Sequence, residues 1–209
     1  MNMKKAYKIA AMTALISSFV IAGCDSPKDA SKDNFKKVIN KVESQRCINL
    51  NAIGFSEFPY ETSVKVEPYE VKKRNKLDEL FKVGVLDRKE STRELKNAFG
   101  TVFGKEDTYI YTLTELGKKS VINGEGGFCV GHYSVDDIVN YTEPTDSEWE
   151  GGKVSKVNYT KSPIDVIEWA KKLDNNDAFS ELKDELSGQQ KDKTTVILKN
   201  DGWHDVREK

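Results

Sequence analysis

Apolar residues recur at helical spacing in three segments of the chain. Intervals of three and four residues are typical of a helix that buries one face. The stripes are Phe35, Val38, Ile39 and Val42; Leu77, Leu80 and Phe81; and Val166, Trp169, Ala170 and Leu173. Asp33 is the predicted N-cap of the first helix, and Ser162, with Pro163 at the first helical position, is that of the third. Phe179 begins a further helical piece that ends near Gly188.

Alternating and β-branched segments predict strands in the rest of the chain. They are TYIYTL at 108–113, FCVGHYSVDDIVNYT at 128–142, KVSKVNYTKS at 153–162 and KTTVILKNDGW at 193–203, with a short strand pair in SVKVEPYEV at 63–71 and a turn in TDSEWEGG at 145–152. This order predicts an α+β fold with helices packed on a mixed or antiparallel sheet. We expect a single globular domain over residues 34–209, with a sub-boundary near the glycine-rich 122–127.

One stretch, residues 77–121, resembles a winged-helix unit. The resemblance is carried by Leu77-x-x-Leu80 with Gly84-Val85-Leu86, and then by Tyr109-x-Tyr111-x-Leu113-Thr114-x-x-Gly117. It implies a structural or protein-binding module in the first half of the domain. No basic recognition helix precedes it, so we expect no binding of nucleic acid.

The chain begins with a positively charged segment and a short apolar stretch. Three lysines precede the 13 residues Ile9–Ile21. This stretch is shorter than the roughly 20 residues that span a bilayer, but it has the length of a secretory h-region. The sequence Ile21-Ala22-Gly23-Cys24 that follows resembles the lipobox of bacterial lipoproteins, with Ile21 where the family prefers Leu. A buried core helix is the alternative interpretation.

The lipobox resemblance implies a membrane anchor. Residues 1–23 would be a signal peptide, and the Cys24 thiol would carry a diacylglyceryl group, with acylation of its new amine in many Gram-negative cells. Stable attachment needs about two acyl chains or more, because one chain holds only marginally. Residues 24–33 would form a polar tether that holds the domain at the periplasmic side of a cell membrane. Asp25 favours the inner membrane, and the outer membrane stays an alternative.

Composition and cysteine count refine this location. Residues 1–23 contain three lysines and no acidic residue. The remainder of the chain therefore has 30 basic and 34 acidic residues. This negative balance argues against a nucleic-acid footprint. With Cys24 assigned to lipid, Cys47 and Cys129 form an even pair in an oxidising compartment, and we predict a disulfide between them. Two buried free thiols are the alternative.

The sequence offers little catalytic chemistry. Its only histidines are His132 and His204. Strand alternation would place His132, Ser134 and Asp136 on one face, but no nucleophile elbow is visible. We therefore predict no catalytic, cofactor or metal site. An envelope hydrolase that uses His132 with nearby acids is the alternative.

A pattern over the whole chain is similar to a group of proteobacterial lipoproteins without an assigned activity. It comprises Cys47–Asn51, Tyr111–Gly117, Phe128–Gly131, Val135–Pro144, Val154–Thr160, Trp169-Ala170 and Asn200–Trp203. The resemblance implies one fold and supports the cysteine pair, but it transfers no chemistry. The leading hypothesis is a non-enzymatic lipoprotein that binds an envelope protein, peptide or other envelope component. A structural accessory protein without a specific ligand is a further alternative.

Overall fold

Antiparallel strands and short helices alternate along the chain. The computed structural model describes residues 26–54, 57–122, 127–173 and 176–208. The helices in these ranges are α1 (Lys32–Glu43), α2 (Val71–Lys82), α3 (Glu115–Lys118), α4 (Glu168–Lys171) and α5 (Ser180–Leu186), with a 3-10 turn at Asp177–Phe179. The strands are β1 (Asn49–Asn51), β2 (Tyr60–Ser63), β3 (Leu86–Lys96), β4 (Val102–Leu113), β5 (Val121–Ile122), β6 (Gly127–Cys129), β7 (His132–Tyr141), β8 (Thr145–Ser147), β9 (Gly152–Ile164), β10 (Gln190–Lys199) and β11 (Gly202–Asp205).

The strands in these ranges form three sheets, and every strand pair is antiparallel. The largest sheet has the order β11-β10-β9-β7, and β8 pairs with the beginning of β9. The two smaller sheets have the orders β1-β6-β5 and β2-β4-β3. The predicted α+β class is therefore confirmed, with antiparallel sheets.

Helix α1 packs on the largest sheet through its predicted apolar stripe. Phe35 and Ile39 are fully buried in a core shared with Tyr159 of β9. The ring of Phe35 meets the rings of Tyr141 and Trp203 edge-on, with centroids 4.9 Å apart in both cases. Each such buried side chain contributes roughly 1.5–3 kcal/mol through the hydrophobic effect.

The polar segment that precedes α1 is held against the same sheet. Trp203 donates a backbone hydrogen bond to the carbonyl of Pro27 at 3.3 Å. Its indole Nε1 donates to the carbonyl of Lys28 at 3.1 Å. Tyr141 Oη donates in addition to the carbonyl of Ala30 at 3.0 Å. Part of the segment expected as a polar tether over residues 24–33 is therefore hydrogen-bonded to the domain.

A buried carboxylate joins the last turn of α1 to the largest sheet. The Glu43 side chain is fully buried and accepts a hydrogen bond from Tyr159 Oη at 2.8 Å. Lys161 Nζ and Arg207 Nη1 donate to the same carboxylate at 3.1 and 2.7 Å. An ionised group without such partners would be strongly unfavourable in the interior. These bonds therefore determine how the end of α1 meets β9 and the C-terminal segment.

The electrostatics of this cluster favour the ionised form of Glu43. Burial alone would raise the pKa of Glu43, but the hydrogen bond from Tyr159 and the charges of Lys161 and Arg207 hold this pKa below its ordinary value. The pKa of the Tyr159 phenol is raised, first by burial and then by its bond to the carboxylate. The Glu43 carboxylate therefore stays ionised at neutral pH.

The second core lies where α2, α4 and α5 meet the β1-β6-β5 sheet. Leu77 and Leu80 of α2, Phe128 of β6 and Trp169 of α4 are all buried in it. Helix α2 ends two residues before Gly84, whose φ of +79° is accessible to glycine at little cost. This turn directs the chain into the long β3–β4 hairpin.

A polar cluster joins α2 to the base of this hairpin. Tyr111 Oη and Arg88 Nη1 donate to Asp78 at 2.5 and 2.8 Å. Burial, followed by the bond to Asp78, raises the pKa of Tyr111 to about 12. The guanidinium of Arg74 lies 4.3 Å from the ring centroid of Tyr109. The base of the hairpin is thus held by α2, whereas its far end is not.

Three local predictions are wrong. Ser31, rather than Asp33, caps α1, because its hydroxyl accepts from the backbone of Asn34. Residues 162 and 163 do not start a helix but continue β9, and α4 begins only at residue 168. Residues 64–70 connect β2 directly to α2 and form no strand pair.

Tertiary pairing explains the error at Ser162 and Pro163. Strand β9 pairs with β7 as far as Ile164, whereas its pairing with β10 ends at Lys161. A proline is tolerated in a strand where its missing N–H faces no partner strand. Ser162 Oγ donates to Asp136 Oδ2 at 2.7 Å instead of capping a helix.

Two other segments differ from their sequence patterns. The predicted turn at 145–152 begins with the short strand β8 and turns only after it. Residues 77–121 comprise the second half of α2, the hairpin and α3. A helix-turn-helix unit places two helices in succession, but only α2 lies between β2 and β3 in this fully described stretch. The winged-helix arrangement is therefore not shown.

The N-terminal predictions lie outside the described residues. These comprise the signal peptide over residues 1–23, the lipid site at Cys24 and the retention residue Asp25. Residues 123–126 of the expected sub-boundary lie outside as well. Within the described ranges, no helix has both the length and the apolar character that crossing a bilayer requires.

We predict that Glu43→Gln lowers the free energy of unfolding by about 3 kcal/mol. The substitution removes the anion that the buried Lys161 and the partly buried Arg207 share, and each cation keeps only its second carboxylate partner. Urea unfolding at pH 7 measures this loss. The folded-state pKa of Glu43 is lowered, so its contribution is present above the unfolded value of 4.5 and is lost as the pH falls through the folded pKa. The difference between wild type and variant should therefore shrink in acid.

The matched control is Glu115→Gln, which removes an exposed carboxylate from an ion pair with Lys118. This change should leave the urea midpoint where it is. Equal effects of the two substitutions would contradict a structural role for the buried cluster.

Candidate functional site

A disulfide connects the segment after α1 to β6. Cys47 and Cys129 are bonded, with a Cα–Cα distance of 5.1 Å, as the cysteine count predicted. The next residue, Ile48, exchanges backbone hydrogen bonds with Val130 and Gly131, at 2.9 and 2.8 Å. Cys47 is exposed, so this bond lies at the surface.

A cleft of about 640 Å³ lies beside this disulfide. Its walls come from the C-terminal end of α2, from α3 and β5, from β6 and the start of β7, and from α4 with the turn before it. The apolar lining consists of Val83, Leu116, Val121, Ile167 and Trp169, and Cys129 forms part of the wall. We call this concavity the seam cleft, because it lies where the two halves of the chain meet.

Helix α3 is placed at the cleft by a capping motif. Thr114 Oγ1 accepts from the backbone N–H of Gly117 at 3.1 Å and donates to the carbonyl of Gly84 at 2.8 Å. A Cβ at Gly117 would lie 2.3 Å from the carbonyl oxygen of Val85, so only glycine fits. The neighbouring Leu116 is 42% exposed and lines the cleft.

Trp169 forms an aromatic floor of the cleft. Trp169 is largely buried and meets Phe128 edge-on, with ring centroids 5.7 Å apart. The backbone that leads into α4 is fixed by a bond from Ile167 N to the carbonyl of Val130, at 3.0 Å. The site is therefore preformed, as is usual for concave ligand sites.

Charged side chains surround the apolar lining. Lys119 and Lys172 supply positive charge, whereas Asp165 and Glu168 supply negative charge. Asp165 has a left-handed backbone with φ of 54°, a conformation that aspartate adopts more readily than most residues. The hydrogen bond from Lys171 lowers the pKa of Glu168, so this carboxylate is ionised at neutral pH. The rim therefore presents both signs of charge.

His132 lines the cleft, but its predicted neighbours have other partners. Ser134 Oγ donates to Asn40 Oδ1 of α1 at 3.3 Å. Asp136 accepts from Ser162, as described above, and from Gln189 at 3.1 Å. Nε2 of His132 lies 3.8 Å from Sγ of Cys129. The three residues are not brought together by hydrogen bonds.

The sulfurs and His132 also have metal-like spacing. Sγ of Cys47, Sγ of Cys129 and a ring nitrogen of His132 lie within 4.8 Å of one another. A cysteine binds metal as a thiolate, and here the two sulfurs are bonded to each other. In this oxidised state the group has no thiolate to offer.

The second histidine belongs to a separate ion cluster. His204 of β11 bonds to Glu208 at 2.7 Å and to Asp201 at 2.9 Å. These two carboxylates raise the pKa of His204. The residue is not among those that line the cleft.

Sequence reasoning did not identify the seam cleft. Its lining residues lie between positions 83 and 172 and come together only in the fold. One local signal existed at Leu116. In the sequence Thr114-Glu115-Leu116-Gly117, the glycine packs against the carbonyl of Val85, and the leucine before it stays exposed.

What the site can do chemically follows from its walls. It can exclude water from an apolar group and hold polar atoms at the rim. No protein-family model, curated protein or solved structure matches the chain.

We predict that the double variant Cys47→Ser/Cys129→Ser loses about 2–5 kcal/mol of unfolding free energy, because the bond closes a long loop in the unfolded chain. Urea unfolding of oxidised wild type, reduced wild type and the double variant measures this loss. Reduced wild type and the double variant should have the same free energy of unfolding. Identical midpoints for all three samples would contradict a stabilising role.

Proposed function

We propose that the protein is a lipid-anchored binding module of the bacterial cell envelope, which holds an apolar segment of another envelope protein or peptide in the seam cleft. The observation that carries this proposal is the preformed apolar cleft with charged side chains at its rim. Leu116 is central to it, because a leucine exposed in a concavity gains hydrophobic free energy when a partner covers it.

The size and the charges of the cleft favour a peptide segment over a flat protein surface. A volume of about 640 Å³ accommodates a few side chains. Lys119 and Lys172 can pair with acidic groups that flank an apolar anchor, while Asp165 and Glu168 can pair with basic ones. Apolar anchors that enter pockets usually supply most of the binding energy of such contacts, and rim charges guide the approach.

The anchoring part of the proposal rests on the N-terminal sequence. Acyl chains on Cys24 would attach the protein to a membrane at its periplasmic face. Because Ser26 donates to Asp29 and residues 27 and 28 bond to Trp203, little free chain would separate the lipid from the domain. The domain would therefore stay close to the bilayer that carries it.

The binding function can be tested in cells with a photocrosslinking residue at Lys119, on the rim. We expect a discrete crosslinked species whose yield falls about tenfold when Leu116→Asp is added, because a carboxylate in the apolar wall opposes burial. Val206→Asp is the matched control, since Val206 is 41% exposed and outside the cleft. It should leave the yield unchanged.

If Leu116→Asp and Val206→Asp had equal effects on the yield, the seam cleft would not be the binding site. The circular dichroism spectra of both variants should match that of wild type. This comparison separates a lost contact from a lost fold.

The anchor has its own test. Cells grown with labelled palmitate should incorporate label into wild type and not into Cys24→Ala, which removes the acceptor thiol. The variant should also leave the membrane fraction. Label that persists in Cys24→Ala would contradict lipidation at this residue and leave the cleft proposal intact.

A further inference from the structure

The β3–β4 hairpin extends well beyond the part of β4 that pairs with β2. Strand β2 pairs only with residues 108–111 of β4. Outside this region, residues 92–96 and 102–107 form a two-stranded ribbon. Five residues of antiparallel strand span roughly 17 Å. The end of the ribbon, residues 96–105, is called the hairpin tip below.

The hairpin tip exposes three large apolar side chains. Phe99 is 93% exposed, Phe103 is 68% exposed and Val102 is 46% exposed. Single exposed apolar residues are common on protein surfaces, but these three lie within five consecutive residues. The group is convex and lies at the end of a projection. Such a group can insert into a lipid bilayer, which has no fixed shape.

Hydrogen bonds of Asn97 hold the turn together. Asn97 Oδ1 accepts from the N–H groups of Phe99 and Thr101, both at 3.0 Å. Asn97 O accepts from Gly100 N at 2.9 Å, and Asn97 N donates to Thr101 O at 3.0 Å. Four backbone donors of the turn are thus satisfied internally. Entry of a polypeptide into lipid requires this, because nonpolar surroundings offer no replacement for water.

The charges around the apolar group complete the pattern. Residues 96–105 contain two lysines, Lys96 and Lys105, and no acid. Both lysines are exposed. Long cationic side chains can keep their charge at the headgroups while neighbouring aromatic rings lie deeper. The first acid along the ribbon is Glu94, which lies opposite Lys105 and has its carboxylate 3.3 Å from Lys96 Nζ. Arg93 and Glu106, one position further, are joined across the strands at 2.7 Å.

We propose that the hairpin tip inserts into the interface of a bilayer that contains anionic phospholipid. Phe99 and Phe103 enter the boundary between headgroups and acyl chains, and Lys96 and Lys105 pair with lipid phosphates. Aromatic and cationic residues are the usual components of such interfacial contacts. A partner protein is the less favoured occupant, because the tip lies at the end of a projecting ribbon and four backbone donors of its turn are already used.

Trp149 provides a contrast within the same molecule. It is 99% exposed in the turn after β8, but Glu148 and Glu150 flank it. An anionic surface repels this turn and attracts the hairpin tip. The proposal is independent of the seam cleft and of acylation at Cys24, since it involves neither set of residues.

The test compares two full-length proteins with equal tryptophan counts. One is wild type, whose exposed tryptophan is Trp149. The other is Trp149→Phe/Phe99→Trp, which moves that tryptophan to the hairpin tip. Each protein is mixed with vesicles of phosphatidylglycerol and brominated phosphatidylcholine, and its fluorescence is recorded. Both variants keep the buried Trp169 and Trp203 as a common background.

We expect brominated lipid to quench the tip tryptophan and to shift its emission to the blue, with little change for Trp149. Lys96→Gln/Lys105→Gln should weaken vesicle partition about fivefold for each lysine at low salt. Binding without selective quenching at position 99 would overturn the proposal, as would equal quenching of both proteins. Absence of quenching in either protein would favour a protein partner for the tip and would likewise overturn it.

Discussion

The ionised Glu43 in the interior is the interaction on which the arrangement of this protein depends. A charge with no access to solvent must be matched by donors in defined places, or it destabilises the fold. Tyr159, Lys161 and Arg207 supply those donors from β9 and from the segment after β11. Three parts of the chain that are far apart in sequence are thereby held in a fixed arrangement.

The position of this cluster has consequences for the site. Cys47 lies four residues after Glu43, and its disulfide connects this part of the chain covalently to β6. Val130, the residue after β6, accepts from Ile167 and so places α4 with Trp169. The floor of the seam cleft is therefore attached to the large sheet through a continuous series of bonds. A site built in this way is preformed, so a ligand need not pay for ordering it.

The two surfaces proposed for binding differ in their physical design. The seam cleft is concave, has walls from several elements and carries charges of both signs, which suits a specific polypeptide. The hairpin tip is convex, comes from one hairpin and carries only lysines, which suits a surface without fixed shape. Each places apolar side chains in contact with water. One chain can thus use separate regions for recognition and for contact with a bilayer.

The sequence by itself determined the features that depend on local spacing. These are the buried stripe of α1 and the α+β class. The pairing of Cys47 with Cys129 followed instead from the cysteine count. Tertiary structure alone decided where competing signals were close in energy. Ser162 and Pro163 resemble a helix start, yet β7 offers them a strand partner, and that pairing outweighs a cap. The seam cleft and the partners of Glu43 arise from contacts between distant segments, which no local pattern encodes because side-chain periodicity reports only which face is buried.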